Sequence, residues 1–258
     1  MIEFILRQFS SGMIKFLTRP LRKFQPISTN GPDLLKRALQ PGDVLLVEGN
    51  SRVSSAIKYL TQSTWSHAAL YVGPIAGRET PEGEPHVLVE AELGFGVIST
   101  PLSLHAEEHT RICRPVHLDD EDRARLIRFV IQRIGDSYDA KNVIDLMRYL
   151  LPTPPVPIRF RRRMIALGSG EPTRTICSTL IAQAFQSVHY PILPDVERLF
   201  ADGLDEHEKG TVKEIHHIRH HSLYTPRDFD VSPFFEIVKP TIEAGFDYKA
   251  VEWVEPVY

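Results

Sequence analysis

Three side chains in this sequence sit where nucleophilic acyl chemistry could be built. Cys177 lies in Thr175-Ile176-Cys177-Ser178-Thr179-Leu180-Ile181, and the apolar spacing predicts a helix over 175–188 with the cysteine in its first turn. Ile181, Ala184 and Val188 share its face, so the thiol is expected to point into the domain. Unpaired N–H groups and a partial positive charge at a helix N-terminus favour thiolate over thiol and can also hold a developing oxyanion. A lone cysteine on such a face is more often a small buried hydrophobe.

His67 sits in Trp65-Ser66-His67-Ala68-Ala69-Leu70-Tyr71-Val72-Gly73, where strand alternation places it on one face with Ala69 and Tyr71. The small residues beside it leave room for a second group to approach, although a strand histidine alone also fits a structural role. Glu90 is an acid inside the apolar run Val87-Leu88-Val89-Glu90-Ala91. A buried carboxylate is costly unless paired. On a strand antiparallel to that of His67 it could accept the imidazole N–H, fix the tautomer and support the imidazolium. The alternative is a strand-end glutamate facing solvent. Glu92, two residues on and on the same strand face, competes for the orienting role.

Other chemistry-bearing residues give weaker patterns. Cys113 follows strand alternation without a helix start and reads as structural. Ser178 lacks the Gly-x-Ser-x-Gly surroundings of a serine nucleophile. In Glu214-Ile215-His216-His217-Ile218-Arg219-His220-His221 the histidines recur at i, i+4, a spacing that binds zinc on a helix. No cysteine or third ligand set lies nearby in sequence, so a solvated histidine-rich turn is expected, with no metal and no cofactor. The run Arg159, Arg161, Arg162 and Arg163 has no interleaved aromatics and does not read as a nucleic-acid surface.

The elements that must position these groups are marked by turn residues. Asp33 to Leu39 reads as a short helix, and Pro41-Gly42-Asp43 turns the chain into the strand Val44 to Val47. A helix over 53–60 precedes the His67 strand, Ser66 to Val72. Further strands are expected over 87–91, 96–99, 111–118 and 235–239. Asp119-Asp120 caps a helix whose face carries Ala124, Ile127, Val130, Ile131 and Ile134 and which Gly135 ends. Another helix is expected over 142–151, before the proline-rich stretch. Helices mixed with short strands give an α+β class.

Read together, these stretches resemble a known family. Pro41-Gly42-Asp43-Val44-Leu45-Leu46, Thr61 through Gly73, Val89-Glu90-Ala91, Gly135-Asp136-Ser137-Tyr138-Asp139, Ile176 through Ile181 and Tyr224-Thr225-Pro226-Arg227-Asp228-Phe229 are similar to the permuted papain-like amidases, YiiX-type relatives of the NlpC cell-wall hydrolases. The likeness spans roughly residues 40 to 235. It implies a circularly permuted papain-like (NlpC-type) fold, an antiparallel sheet packed against helices, with chain order His67, Glu90, Cys177. It further implies Cys177 as nucleophile, His67 as its base, Glu90 as orienter and the Cys177 backbone N–H as part of an oxyanion site, with Tyr138 and Trp65 lining the pocket. The expected reaction is hydrolysis, or acyl transfer, of a peptide-like or lipid-linked acyl group through a thioester. A catalytically silent papain-like domain serving as a membrane-surface scaffold is the alternative.

Composition is close to that of an ordinary globular protein. A formal charge of −3 gives no reason to expect a nucleic-acid partner, and two cysteines make neither a disulfide framework nor a metal knuckle. Free thiols favour a reducing, cytoplasmic setting. Residues 1–24 carry Ile2, Ile5, Leu6, Phe9, Met13, Phe16 and Leu17 at helical spacing, opposed by Arg7, Lys15, Arg19, Arg22 and Lys23. This is the pattern of a helix that lies in a membrane interface, or of one packed on protein. The chain is therefore divided into an amphipathic helix and linker, 1–32, and a hydrolase domain, 33–258.

Overall fold

The computed structural model describes residues 18–19, 31–105, 107–136, 176–200, 212–217 and 219–252. The amphipathic helix over 1–24 (Thr18 and Arg19 apart), Tyr138, the helix expected over 142–151 and the Arg159 to Arg163 run lie outside the described residues.

Helix α1 (Pro32–Ala38) starts on a proline whose missing N–H costs nothing in a first turn. Gly42 then turns the chain at φ 99°, a left-handed conformation that suits glycine, and feeds β1 (Val44–Val47). Helix α2 (Arg52–Thr61) is capped by the Ser51 side chain, which accepts from the Ser54 N–H. Strands β2 (His67–Tyr71), β3 (His86–Glu92) and β4 (Gly96–Pro101) follow, then a 3-10 turn over Leu102–His105 and β5 (Thr110–Pro115). Asp119 caps α3 (Asp120–Ile131), accepting from the Asp122 N–H at 2.8 Å. Helix α4 (Ile176–Ser187), the hairpin β6 (Asp195–Phe200) and β7 (Val212–His217), helix α5 (Pro226–Asp230), β8 (Phe235–Val238) and α6 (Pro240–Glu243) complete the order.

Six strands form one antiparallel sheet in the order β4-β3-β2-β1-β5-β8. Strand β1 is central and buried on both faces, which is why it reads as an unbroken apolar run. On one face Leu45, Val47, Ala69, Leu88 and Ile112 pack against Leu35 and Ala38 of α1. On the other, Val44, Leu46, Ala68, Leu70 and Val89 pack against α3 and α4. The α+β class and the antiparallel sheet with helices stand as expected from the sequence.

Two expectations need correction. Leu126 and Val130 are the buried positions of α3, while Ile127, Ile131 and Ile134 flank them half-buried. The apolar stripe is thus centred one position from the predicted face. The histidine-rich segment, expected as a solvated turn, is a strand up to residue 217: it forms β7, paired with β6 from Asp195↔His217 to Phe200↔Val212.

A buried ion pair fixes β1 to β5. Asp43 is 1% exposed and receives Arg114 Nε at 3.0 Å and Nη2 at 2.9 Å, a two-pronged contact. Arg114 Nη2 also donates to the Ala38 carbonyl at 2.6 Å and so ties α1 to the same point.

Candidate active site

Cys177 is the second residue of α4, and α4 packs across β2 and β3. Strands β2 and β3 are paired at Leu70↔Val89 and Tyr71↔Leu88, and their ladder stops short of His67 and Glu90. The splayed strand ends are where the three side chains meet.

His67 Nε2 is hydrogen-bonded to Glu90 Oε2, and Cys177 lies close enough for its charge to act on the same imidazole. With Nε2 engaged by Glu90, the nitrogen left for the sulfur is Nδ1. Cys177 is 4% exposed and the His67 side chain 17%, so the ring marks where solvent reaches the site. Of the two glutamates left open by the sequence, Glu90 is the one bonded to the ring.

Glu90 has further partners. Thr100 Oγ1 donates to Oε1 at 2.6 Å, and His105 Nε2 lies 3.2 Å from Oε2 and 3.4 Å from Oε1. His105 Nδ1 meets Glu108 Oε2 at 2.7 Å. Sequence reasoning missed Thr100, His105 and Glu108. The only signal was Leu102 and His105 spaced three apart after a strand, and both are buried in the 3-10 turn.

The charges sustain one another. Burial works against a charged His67, but the Cys177 and Glu90 charges and hydrogen bonds outweigh it and hold the ring well above the ordinary histidine range. Burial likewise opposes an ionised Glu90, and His67 and His105 overcome it, holding the carboxyl well below its usual value. His105 is pushed up to about 9, because its bonds to Glu108 and Glu90 exceed the burial penalty. Burial raises the carboxyl of Glu92.

Cys113 contrasts with Cys177. It is fully buried in β5, and burial pushes its thiol far above the ordinary range. Ser178 is fully buried and donates to the Tyr224 carbonyl at 2.7 Å, tying α4 to the segment before α5. Trp65 is 2% exposed; its Nε1 donates to Asp230 Oδ2 at 3.0 Å, and its ring tilts against His109 at 5.1 Å. It borders a polar cleft of about 630 Å³ that Glu48, Lys58, Arg111 and Arg227 also line.

Ligand atoms of His67, Glu90 and His105 lie within 4.8 Å of one another, close enough in principle to hold a divalent ion. Each already hydrogen-bonds another member of the group, so an ion would have to displace those bonds.

Comparison with known proteins agrees with this picture over part of the chain. Residues 38–149 match the model of a family described as permuted papain-like amidase enzymes, YaeF/YiiX, C92 family. That segment holds His67, Glu90, Thr100, His105 and Glu108 and ends before Cys177. Among solved structures, metalloprotein yiiX from Escherichia coli O157:H7 is similar at 17% identity, with 78% of this chain and 97% of that chain covered and a TM-score of 0.44. No curated protein matches the chain. Residues 38–149, less than half of the chain, are thus similar to the permuted papain-like amidases of the YaeF/YiiX, C92 family.

Proposed function

We propose that this protein is a cysteine-dependent hydrolase of amides or activated esters. Cys177 is its nucleophile, His67 its acid and base, and Glu90 the group that orients and stabilises the imidazolium. The observation that carries the proposal is the convergence of Cys177, His67 and Glu90 from three distant stretches, with His67 bonded to Glu90 and the Cys177 charge acting on the same ring. Proton transfer from sulfur to His67 Nδ1 gives a thiolate that attacks the acyl carbon. As the tetrahedral oxyanion collapses, the imidazolium proton passes to the departing amine or alkoxide and leaves an acyl thioester on Cys177. Water, losing a proton to His67, then attacks the thioester; the carboxylic acid departs and the thiol is restored. The substrate class is a peptide-like or lipid-linked acyl group, and the basic amphipathic pattern of residues 1–24 supports a donor at a membrane surface.

Limited alkylation with iodoacetamide at pH 6, with the adducts mapped by mass, tests the assignment. Cys177 is expected to react well ahead of Cys113, and hydrolysis of an acyl-ester and amide panel to vanish in C177A. Preferential modification of Cys113, or undiminished hydrolysis in C177A, would overturn it.

A further inference from the structure

Glu90 carries more partners than orienting one imidazole requires. It is 1% exposed, and its two oxygens accept from His67, Thr100 and His105. His105 is gripped from the other side by Glu108. An ionised carboxylate accepts hydrogen bonds and donates none. With an ionised carboxylate at each ring nitrogen, both nitrogens of His105 carry protons and the ring is an imidazolium, in keeping with its raised titration. From His67 outward the row then alternates in sign: His67 cation, Glu90 anion, His105 cation, Glu108 anion. The rings of His67 and His105 stand 5.8 Å apart with Glu90 between them.

Resting on the cysteine-hydrolase proposal, we propose that His105, locked by Glu108, is a positioning residue of the site. It keeps Glu90 ionised and fixed in the one orientation that holds His67 against Cys177. The charged or titratable groups facing this pair are His67 from β2, Glu92 on β3, Glu108 after the 3-10 turn, and Cys177 from α4. Removing the His105 cation makes Glu90 easier to protonate and a negative charge on Cys177 harder to form. Both effects push the acid side of the site's activity to higher pH.

The test reads Cys177 directly and needs no substrate. The rate of Cys177 alkylation by iodoacetamide is followed from pH 4 to 9 in the full chain and in H105Q. An opposite charge at this range moves a titration by about 1–3 units when direct. Because His105 acts on the sulfur through Glu90, the low-pH midpoint is expected to rise by about one unit and the rate at pH 6 to fall roughly tenfold. A role in packing alone would lower thermal stability and leave the midpoint in place. Superimposable profiles for the parent and H105Q overturn the role of His105 and leave the hydrolase proposal standing. A parent protein whose Cys177 resists alkylation at every pH overturns that proposal instead. Should H105Q not fold, nitrogen-15 spectra of the parent's histidines serve. Imidazolium resonances for His105 persisting at pH 8 are expected, and a neutral ring at pH 7 overturns the inference. One equivalent of zinc carried through purification and lost in H105Q overturns it as well, because a metal-bound Nε2 has no proton to give Glu90.

Discussion

Replacing Glu90 with glutamine removes one charge from the middle of the row and keeps its size. His67 and His105 would then face a neutral amide in place of the anion that separates them. Unit charges about 3 Å apart at an effective permittivity of about 20 attract by roughly 5 kcal/mol. Part of that attraction acts before any substrate is bound. The share that grows as the imidazolium forms, about 3 kcal/mol, corresponds to roughly a hundredfold in rate. Hydrolysis of an activated acyl ester under saturating conditions should therefore fall about 100-fold in E90Q, with KM little changed. E92Q is the matched control: Glu92 lies on the same strand face, but it is Glu90 that bonds the ring, so E92Q should stay within about threefold of the parent by the same conversion. Thermal melts and circular dichroism of both variants establish that the fold is kept. Equal losses in the two variants, or an E90Q rate within threefold of the parent, would refute the assignment of Glu90.

Other perturbations separate the scaffold from the chemistry. His105 rises from 6.5 to about 9 on folding, so the stability it contributes is fully present below about pH 6.5 and is lost as pH climbs through about 9. Glu90 is shifted down from 4.5, so its contribution is present above pH 4.5 and is lost as pH falls through the lowered value. The unfolding free energy from urea titrations should fall on the alkaline side by an amount on the order of 3 kcal/mol for His105, and a flat profile between pH 6 and 10 would contradict this. R114A strands the buried Asp43 and should cost about 3–5 kcal/mol in chemical denaturation, while folded protein keeps Cys177 alkylation within about twofold of the parent. C113A should lower stability by about 1–2 kcal/mol through the void it leaves in the sheet, and alkylation at pH 6 should still yield a single adduct, on Cys177.

Much of this architecture could be read before any coordinates. Pro41-Gly42-Asp43 and Gly135 punctuate the chain, and the apolar runs between such breaks fall where β1, β2, β5 and α3 form. Local signals work there because turn geometry and burial act within a few residues. The Cys177 helix start, His67 and Glu90 were each legible only as candidates, since their meeting depends on how α4 crosses two splayed strands. Thr100 and His105 carry no pattern of their own. They matter because a buried carboxylate demands partners, and a sequence does not say which groups a fold will turn toward it. The histidine-rich segment reads as a solvated turn, but pairing with β6, invisible in the local pattern, makes its first part a strand. Trp65, expected from the resemblance to line the substrate pocket, borders a cleft whose lining includes neither Cys177 nor His67, with its ring mostly enclosed.

A covalent intermediate offers the most direct trial of the whole arrangement. The protein is mixed with a slowly hydrolysed activated acyl donor, quenched in acid and mapped by mass spectrometry. One acyl group should appear on the peptide containing Cys177, with none on Cys113, and it should be absent from H67A. An acyl group on another residue, or turnover of the donor with no thioester at Cys177, would contradict a thiol nucleophile at the start of α4.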